Sequence, residues 1–215
     1  MFDDNWELIN GPGAHHIEHL NATNTINVLE ALVVFLLSSK DPAEVLAPMP
    51  DDWALCELHR SGTLFLLHQP GIYRLENVVL RDGNGNVYHT PPPWADVPAH
   101  MIEFFRELET IWNNGDALDV ASFALWRVNW IHPFKNGNGR TARAFSYACL
   151  NAHIGLILPG SPTVIDQIVT RRPEYEAALR VADNAASNAN GRDLSAMKTF
   201  LHDLLQNQIL SIQKP

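Results

Sequence analysis

Residues 132–143 read HPFKNGNGRTAR; they follow an apolar stretch with the composition of a buried helix, residues 119–131, and run into a second predicted helix, residues 139–153. Pro133 lacks an N–H group, so the first helix is expected to end just before it, with His132 at its C-terminal end. The two glycines of the GNG turn permit backbone conformations that other residues avoid, so that successive N–H groups can surround an anion. The segment therefore predicts an anion-binding loop that opens onto a helix N-terminus.

Two arginines follow the turn, Arg140 and Arg143, and their spacing of three places them on one face of the second helix. Guanidinium groups bind phosphate through paired hydrogen bonds, and the positive end of the helix dipole favours the same anion. Taken singly, a histidine at a helix end, a glycine turn and a pair of arginines are typical of ordinary surfaces. Their convergence within one segment favours a functional site for a polyphosphate.

The rest of the chain predicts a mainly helical protein. Of the 215 residues, 46% are hydrophobic and 18% are charged, which is enough for one well-buried core. We expect a single domain over residues 1–215, with N-terminal helices in residues 1–70 packed on a core of about 71–205. The remaining predicted helices are Asn24–Ser39, Asp51 to about His68, Pro98–Asn113, one with Ser161 as N-cap and Pro162 as first residue, Pro173–Ser187, and Asp193 to about Ile212.

One stretch departs from the helical pattern. Residues 76–90 read ENVVLRDGNGNVYHT, in which two short apolar runs flank a turn rich in Asp, Asn and Gly. This pattern predicts a β-hairpin. The hairpin is either a surface loop without a role or a template to which a partner peptide adds as a strand. Its apolar positions are Val78, Val79, Leu80, Val87 and Tyr88.

Charge and composition exclude some classes of function. The formal net charge of −9 disfavours binding to nucleic acids or to anionic membranes, which depends on basic surfaces. The longest apolar run, Ala31–Leu37, is shorter than a membrane span, and the acidic N-terminus does not resemble a signal peptide. We expect a cytoplasmic protein or one delivered as an effector. Cys56 and Cys149 are expected to be small buried side chains, and the pair His15 and His19 a polar surface rather than a metal site.

The segment HPFKNGNGRTAR resembles the signature HPFx(D/E)GNGRxxR of the Fic (Fic/Doc-like) family. GIYR at residues 71–74, PPPWADVPAHM at 91–101 and RRPEYEAALRVAD at 171–183 are similar to other parts of these proteins, and the hairpin looks like their target-positioning flap. The resemblance implies an all-α bundle with one small flap. It also implies transfer of a nucleotide monophosphate, most often AMP from ATP, to a Ser, Thr or Tyr hydroxyl of a target protein.

The resemblance also implies roles for individual residues. His132 would be the general base, and Gly137, Asn138 and Gly139 would form the anion hole. Arg140 would neutralise the bound phosphates, Arg143 would hold the γ-phosphate, and Phe134 would pack beneath the loop. Residues of one face of the later helix would border the pocket for the base: Tyr175, Leu179 and Asp183.

Asn136 is the one departure from the signature, which has Asp or Glu at this position. Relatives use that carboxylate to help hold Mg²⁺, a cation that prefers charged oxygen ligands. The replacement leaves three alternatives: Mg²⁺ held mainly by the nucleotide, a different transferred group, or a binding module without activity. Lys135, at the variable position, is expected to be solvated.

Many relatives also carry an inhibitory (S/T)xxxE(G/N) helix whose glutamate blocks the γ-phosphate arginine. No glutamate of this sequence completes the pattern, including Glu30 and Glu174. Inhibition therefore comes from a separate protein or from a degenerate element, or it does not occur. The sequence also leaves open whether the protein forms a homodimer.

Overall fold

A computed structural model of the chain describes residues 6–187 and 191–212. In this part of the chain the fold consists of eight α-helices and one two-stranded antiparallel hairpin, so the predicted all-α class with a small flap is confirmed. The helices are α1 (Pro12–Ser38), α2 (Asp52–Thr63), α3 (Val97–Asn114), α4 (Ala117–Ile131), α5 (Asn138–Ile154), α6 (Val164–Thr170), α7 (Arg172–Ser187) and α8 (Ser195–Ser211), and the strands are β1 (Leu80–Arg81) and β2 (Val87–His89).

The helices α4 and α5 form the centre of the molecule. They pack on each other, and they are covered by α3, α7 and α8 on one side and by α1 and α2 on the other. The side chains of Phe104, Phe123 and Phe145 are fully buried between these helices, and truncating one buried phenylalanine to alanine typically costs about 3–5 kcal/mol. The loop that joins α4 to α5 is therefore held at both ends by the most deeply buried helices of the fold.

Helix α1 begins at Pro12, well before the predicted start at Asn24. The first half of the helix turns polar side chains toward the interior, namely Glu18, Asn21 and Thr25. Apolar periodicity marks a helix only where the buried face is apolar, so the sequence pattern revealed the second half alone.

The same helix is long and apolar enough to cross a membrane, with a mean hydropathy of 1.5 in its most apolar window. It packs against α2 and α5, and Leu29, Leu32 and Val33 of its second half belong to the main core. A core helix meets the same criteria of length and composition as a membrane span. Only 33% of this window is buried, and Leu20, Val34 and Phe35 of α1 are exposed.

Two other predicted helix boundaries were wrong. Helix α2 ends at Thr63 rather than near His68, because Leu64 leaves the helical conformation with a ψ of 132° and Phe65 follows with a positive φ of 64°. Leu66 and Leu67 then lie in a separate small apolar cluster. Helix α6 begins at Val164 with Thr163 as its N-cap, so Ser161 and Pro162 precede the helix. The Thr163 hydroxyl accepts the Asp166 N–H, while the Asp166 carboxylate accepts the Thr163 N–H, a capping box that fixes this start.

The hairpin is shorter than the sequence suggests. Pairing begins at Leu80, which lies opposite His89, so Val78 and Val79 lie outside the strand. The pairing does not extend further because residues 91–93, shortly after β2, are three prolines, which have no N–H groups to donate to a neighbouring strand. The turn is closed by Asp82, whose side chain accepts the Asn84 and Asn86 N–H groups.

Candidate active site

His132 lies at the C-terminal end of α4, as predicted, in a left-handed conformation with φ of 53° and ψ of 57°. Its Nδ1 lies 3.3 Å from the Asn129 carbonyl oxygen. A carbonyl only accepts, so this contact assigns the proton to Nδ1 and leaves the Nε2 lone pair available to accept another proton. Burial lowers the pKa of His132 to about 4, with His89 and Arg74 contributing in the same direction. The ring is therefore neutral, and able to act as a base, near pH 7.

The loop after His132 is closed by its own side chains. The buried Asn138 side chain accepts the Phe134 N–H at 2.8 Å and donates to the Phe134 carbonyl at 2.8 Å. Gly137 is the N-cap of α5 with a φ of 77°, a conformation that favours glycine. Its N–H donates to Asn136 Oδ1 at 2.6 Å. The predicted role of Asn138 in anion binding therefore falls to its backbone, since its side chain holds the loop.

Phe134 packs beneath the loop, as expected from the sequence, and is fully buried. Its ring stacks on His59 of α2 with a centroid distance of 3.8 Å and an interplanar angle of 7°, and it contacts Tyr73 at 5.3 Å. The loop therefore rests on an aromatic base contributed by α2 and by the segment that follows it.

Arg143 lies on the face of α5 predicted for a phosphate ligand. Burial lowers the pKa of its guanidinium. Its Nε is buried without a hydrogen-bond partner among the described residues. A buried donor without a partner costs about 1–3 kcal/mol, so a site of this kind favours an acceptor supplied from outside. Gly139, one turn earlier, neighbours the guanidinium without crowding it, because a Cβ there would lie 3.4 Å from Arg143 Nη1, an ordinary van der Waals distance.

Arg140 is held differently from Arg143. It donates to the Gly62 carbonyl at 2.8 Å and to Glu18 Oε1 at 2.9 Å, and its guanidinium lies 5.7 Å from the Trp6 ring. Glu18 is 3% exposed and Arg140 27% exposed, so this ion pair is largely removed from water. Arg140 is therefore engaged within the protein in this structure, and its contact with phosphates stays a prediction.

Sequence reasoning missed Glu18. The residue at position −4 is Ala14 and the residue at +1 is His19, so the glutamate lacks both flanking features of the inhibitory pattern. The signal that could have found it is the polar periodicity of α1, in which Glu18, Asn21 and Thr25 recur at helical spacing.

Arg74, from the GIYR segment, is buried and donates only to carbonyl groups. Its Nε bonds to the His132 carbonyl at 2.8 Å, and its two terminal nitrogens bond to the carbonyls of Glu76 at 2.9 Å and Pro92 at 2.6 Å. His89 Nε2 lies 2.8 Å from the carbonyl of Trp130. We call residues 74–79, before β1, and residues 89–92, at the end of β2 and after it, the stems of the hairpin. The C-terminal end of α4, which carries the candidate base, is thus capped by side chains from both stems.

The three residues predicted to border the base pocket face α4. The Tyr175 hydroxyl accepts from Asn129 Nδ2 at 2.9 Å, and Asp183 Oδ1 accepts from Trp126 Nε1 at 2.9 Å. Leu179 packs against the main core between them. In this arrangement the three side chains hold α7 on α4, and contact with a nucleotide base stays a prediction.

Lys135 is not simply solvated. Its ammonium group pairs with Glu7 Oε1 at 2.7 Å and with Glu76 Oε1 at 2.6 Å, and these hydrogen bonds raise the pKa of the lysine. The three side chains line a cleft of about 330 Å³ together with Ile72 and Leu75. Lys135 thus ties the loop to the first hairpin stem on one side and to the N-terminal segment on the other.

The protein's own donors do not fit a resident Mg²⁺ ion. Within residues 6–187 and 191–212, no three His, Cys, Asp or Glu side chains are grouped to hold a metal. The remaining candidate ligand is Asn136 Oδ1, a neutral oxygen that already accepts the Gly137 N–H. Mg²⁺ prefers charged oxygens in octahedral geometry.

Comparison with known proteins agrees with this geometry. The model of the Fic/DOC family matches residues 51–150, which include α4, the loop and all but the last turn of α5. The resemblance noted in the sequence is thereby confirmed for this part of the chain. Protein adenylyltransferase fic-1 of Caenorhabditis briggsae is 29% identical over 116 residues, which are 54% of this chain and 19% of that protein. The chain thus spans about a fifth of the length of this curated relative.

Solved structures share the fold. A Fic family protein from Desulfovibrio desulfuricans superposes with a TM-score of 0.66 at 22% identity, over 97% of this chain and 57% of that one. The BepC effector of Bartonella tribocorum, solved with bound AMPPNP, superposes with a TM-score of 0.52 at 14% identity, over 89% of this chain and 87% of that one. At these identities the likeness establishes the fold.

Proposed function

We propose that this protein transfers a nucleoside monophosphate, AMP in the first instance, from a nucleoside triphosphate to a Ser, Thr or Tyr hydroxyl of a target protein. The observation that carries the proposal is the orientation of His132, whose Nδ1 is engaged by a carbonyl and whose Nε2 lone pair is available beside an anion-binding loop. The relatives named protein adenylyltransferase, and the AMPPNP bound to BepC, support the same reaction class.

The proposed reaction makes and breaks one phosphorus–oxygen bond. The target hydroxyl oxygen attacks the α-phosphorus while the bond to the β,γ-pyrophosphate breaks, and the hydroxyl proton moves to His132 Nε2. The products are the modified target and pyrophosphate, and His132 is regenerated when it passes the proton to the pyrophosphate or to water. The lowered pKa of His132 keeps Nε2 unprotonated at neutral pH, and it also makes the ring a weaker base than an ordinary histidine.

Charge on the phosphates is stabilised by the α5 N-terminus and by Arg143. The first N–H groups of a helix have no acceptor within the helix, and here they belong to residues of the GNG turn. Arg143 contributes a guanidinium whose Nε is buried without a partner in the described structure. Fixed donors of this kind stabilise developing charge without reorganisation.

The target is expected to approach along the hairpin. Val79, Val87 and Tyr88 are exposed there, so an extended peptide can pair with the edge of a strand and contact these side chains. The stems of the hairpin are bonded to the end of α4, which places such a peptide next to His132.

A divalent cation belongs to the substrate in this proposal. Because Asn136 supplies no charge, Mg²⁺ arrives bound to the triphosphate, and the protein residues contact the phosphate oxygens rather than the metal. The activity is therefore expected to follow the concentration of the Mg²⁺–nucleotide complex.

A second candidate function is a nucleotide-binding or protein-binding module without transferase activity. Two observations favour it: Asn136 Oδ1 is occupied by the Gly137 N–H, and Arg140 is paired with Glu18. If the Glu18–Arg140 pair persists with nucleotide bound, one of the two phosphate arginines is lost. In the transferase reading, the same pair is a reversible brake within the chain, in place of a separate inhibitory protein.

The decisive experiment uses ATP labelled at the α-phosphate. Wild-type protein with Mg²⁺ and a cell lysate is expected to label itself or a target, and His132→Ala is expected to abolish labelling. His202→Ala, which removes an exposed histidine of α8, is the matched control and should label like wild type. Labelling from γ-labelled ATP instead would identify phosphate transfer.

Absence of labelling with all four nucleotides, together with tight ATP binding, would favour the second candidate. In that case Asn136→Asp provides a further test, because gain of labelling would show that the missing carboxylate is what silences the site. Mass spectrometry of the modified target reports both the added mass and the acceptor residue.

A further inference from the structure

His59 of α2 is a buried histidine with an assigned role in neither the sequence signature nor the proposed reaction. Its side chain is completely buried, with 0% exposure. The Gly71 N–H donates to Nδ1 at 2.7 Å, and Nε2 lies 2.9 Å from the Asn136 carbonyl oxygen. An amide N–H only donates and a carbonyl only accepts, so both contacts assign the proton to Nε2.

The ring also forms the support on which the loop rests. Phe134 stacks on it at 3.8 Å, and a Cβ added at Gly137 would lie 3.5 Å from His59 Nε2. Burial lowers the pKa of His59 to about 4, and the nearby Arg140 and Arg60 contribute in the same direction. The ring is therefore neutral near pH 7, the form that accepts at Nδ1 and donates at Nε2 together.

The Nε2 bond has a consequence for the next residue. The Asn136 carbonyl and the Gly137 N–H belong to one planar peptide group, in which they point in opposite directions. A donor that fixes the carbonyl therefore fixes the direction of the N–H. That N–H now donates to Asn136 Oδ1 at 2.6 Å, so it points to a place where an oxygen acceptor is already accommodated.

We propose that His59 is a positioning residue, which holds the Asn136–Gly137 peptide so that the Gly137 N–H donates to a phosphate oxygen of the bound nucleotide. Asn136 Oδ1 stands in for that oxygen in the present structure. The inference rests on the proposed function in one respect, since it takes the anion to be the phosphate of a nucleoside triphosphate. It adds a residue of α2 that acts through the loop backbone and does not touch the substrate.

A matched pair of substitutions separates the two bonds of the ring. The amide of His59→Gln extends to about the position of Nε2 and can donate to the Asn136 carbonyl. The shorter amide of His59→Asn reaches about the position of Nδ1 and can accept from the Gly71 N–H. We expect His59→Gln to keep most of the labelling rate, and His59→Asn to lose about tenfold to a hundredfold in kcat with KM for the target unchanged.

The free energy of unfolding, measured in urea for both variants, distinguishes positioning from a purely structural role. Rates that fall equally in the two variants, or in proportion to lost stability, would overturn the proposal. A measurement on wild type needs no variant: the ¹⁵N–¹H resonance of Gly137 is expected to shift when AMPPNP is added. An unchanged Gly137 resonance in protein saturated with AMPPNP would also overturn it.

ATP affinity separates this proposal from the proposed function. If wild type binds ATP without labelling, the transferase reading fails, and affinity then decides the role of His59. Binding about tenfold weaker in His59→Asn than in His59→Gln supports positioning, whereas equal affinities overturn it. A wild type that neither labels nor binds ATP overturns both proposals.

Discussion

Alanine at Gly137 and alanine at Gly139 are expected to change stability in opposite directions, although the two glycines flank the same asparagine. Gly137 has a φ of 77°, and a Cβ there would lie 2.7 Å from Thr63 Cγ2. Thr63 is 1% exposed and its hydroxyl donates to the His59 carbonyl at 2.7 Å, so its methyl group cannot turn away without losing that bond. Gly139 has a helical conformation, and its nearest contact is the terminal nitrogen of Arg143 at 3.4 Å.

The magnitudes follow from these contacts. Left-handed backbone costs about 1–2 kcal/mol for a residue with a Cβ, and overpacking against a fixed neighbour costs about 1–3 kcal/mol. The reduced entropy of the unfolded chain returns about 0.4–1 kcal/mol. Gly137→Ala should therefore lower the free energy of unfolding by about 3 kcal/mol, whereas Gly139→Ala should raise it by up to about 1 kcal/mol, since alanine is the better helix former.

The measurement is urea unfolding of the two variants and wild type, followed by circular dichroism. At a fixed m-value, the midpoint of Gly137→Ala should fall and that of Gly139→Ala should stay or rise. Thermal melts provide a check, because about 3 kcal/mol corresponds to roughly 6–12 °C for a chain of this size. Equal midpoints for the two variants would refute the reasoning, since they would show that neither the positive φ nor the Thr63 contact constrains the loop.

Three further predictions concern the surroundings of the loop. Glu18→Gln should weaken the buried pair with Arg140 and lower the free energy of unfolding by about 1–2 kcal/mol. If the pair inhibits the reaction, the same variant should raise the labelling rate about tenfold. Unchanged labelling would contradict that role. Arg74→Met should lower the free energy of unfolding, measured in urea, by about 2–5 kcal/mol, because it leaves several carbonyls without donors. Arg74→Lys should restore only part of the lost stability. An Arg74→Met variant as stable as wild type would be inconsistent with the observed bonds. In an NMR titration the His132 ring should take up its proton near pH 4, so that the base form is complete above about pH 6, compared with about 6.5 for an unperturbed histidine; a midpoint near 6.5 would show that the ring is not buried.

The loop and its two helices were predictable because their residue types constrain the backbone locally. Pro133 ends α4, glycine permits the conformation at position 137, and the apolar residues of α4 indicate burial on all sides. The hairpin was predictable for the same reason, since its turn residues encode the reversal of the chain. The length of the hairpin was not predictable, because it depends on the prolines after β2 as well as on the residues of the strands.

The contacts that support the loop could not be predicted, because they join residues far apart in the sequence. His59 bonds to a carbonyl 77 positions later, and Glu18 pairs with an arginine 122 positions later. Both are polar side chains that face the interior of a helix bundle, whereas sequence patterns assign polar residues to the surface. Arg74 was recognised as part of a motif, but its carbonyl partners come from α4 and from both hairpin stems, which only the folded chain brings together.

The bonds between the hairpin stems and α4 have a consequence for how such a protein can change over evolutionary time. Arg74 and His89 hold the base of the hairpin, whereas the hydrogen bonds of the tip, residues 82–86, run to neighbours within the hairpin. In the proposed function, insertions and substitutions at the tip would therefore alter which target proteins dock there without moving His132. The proposed range of targets and the proposed chemistry at the loop would then be free to evolve separately.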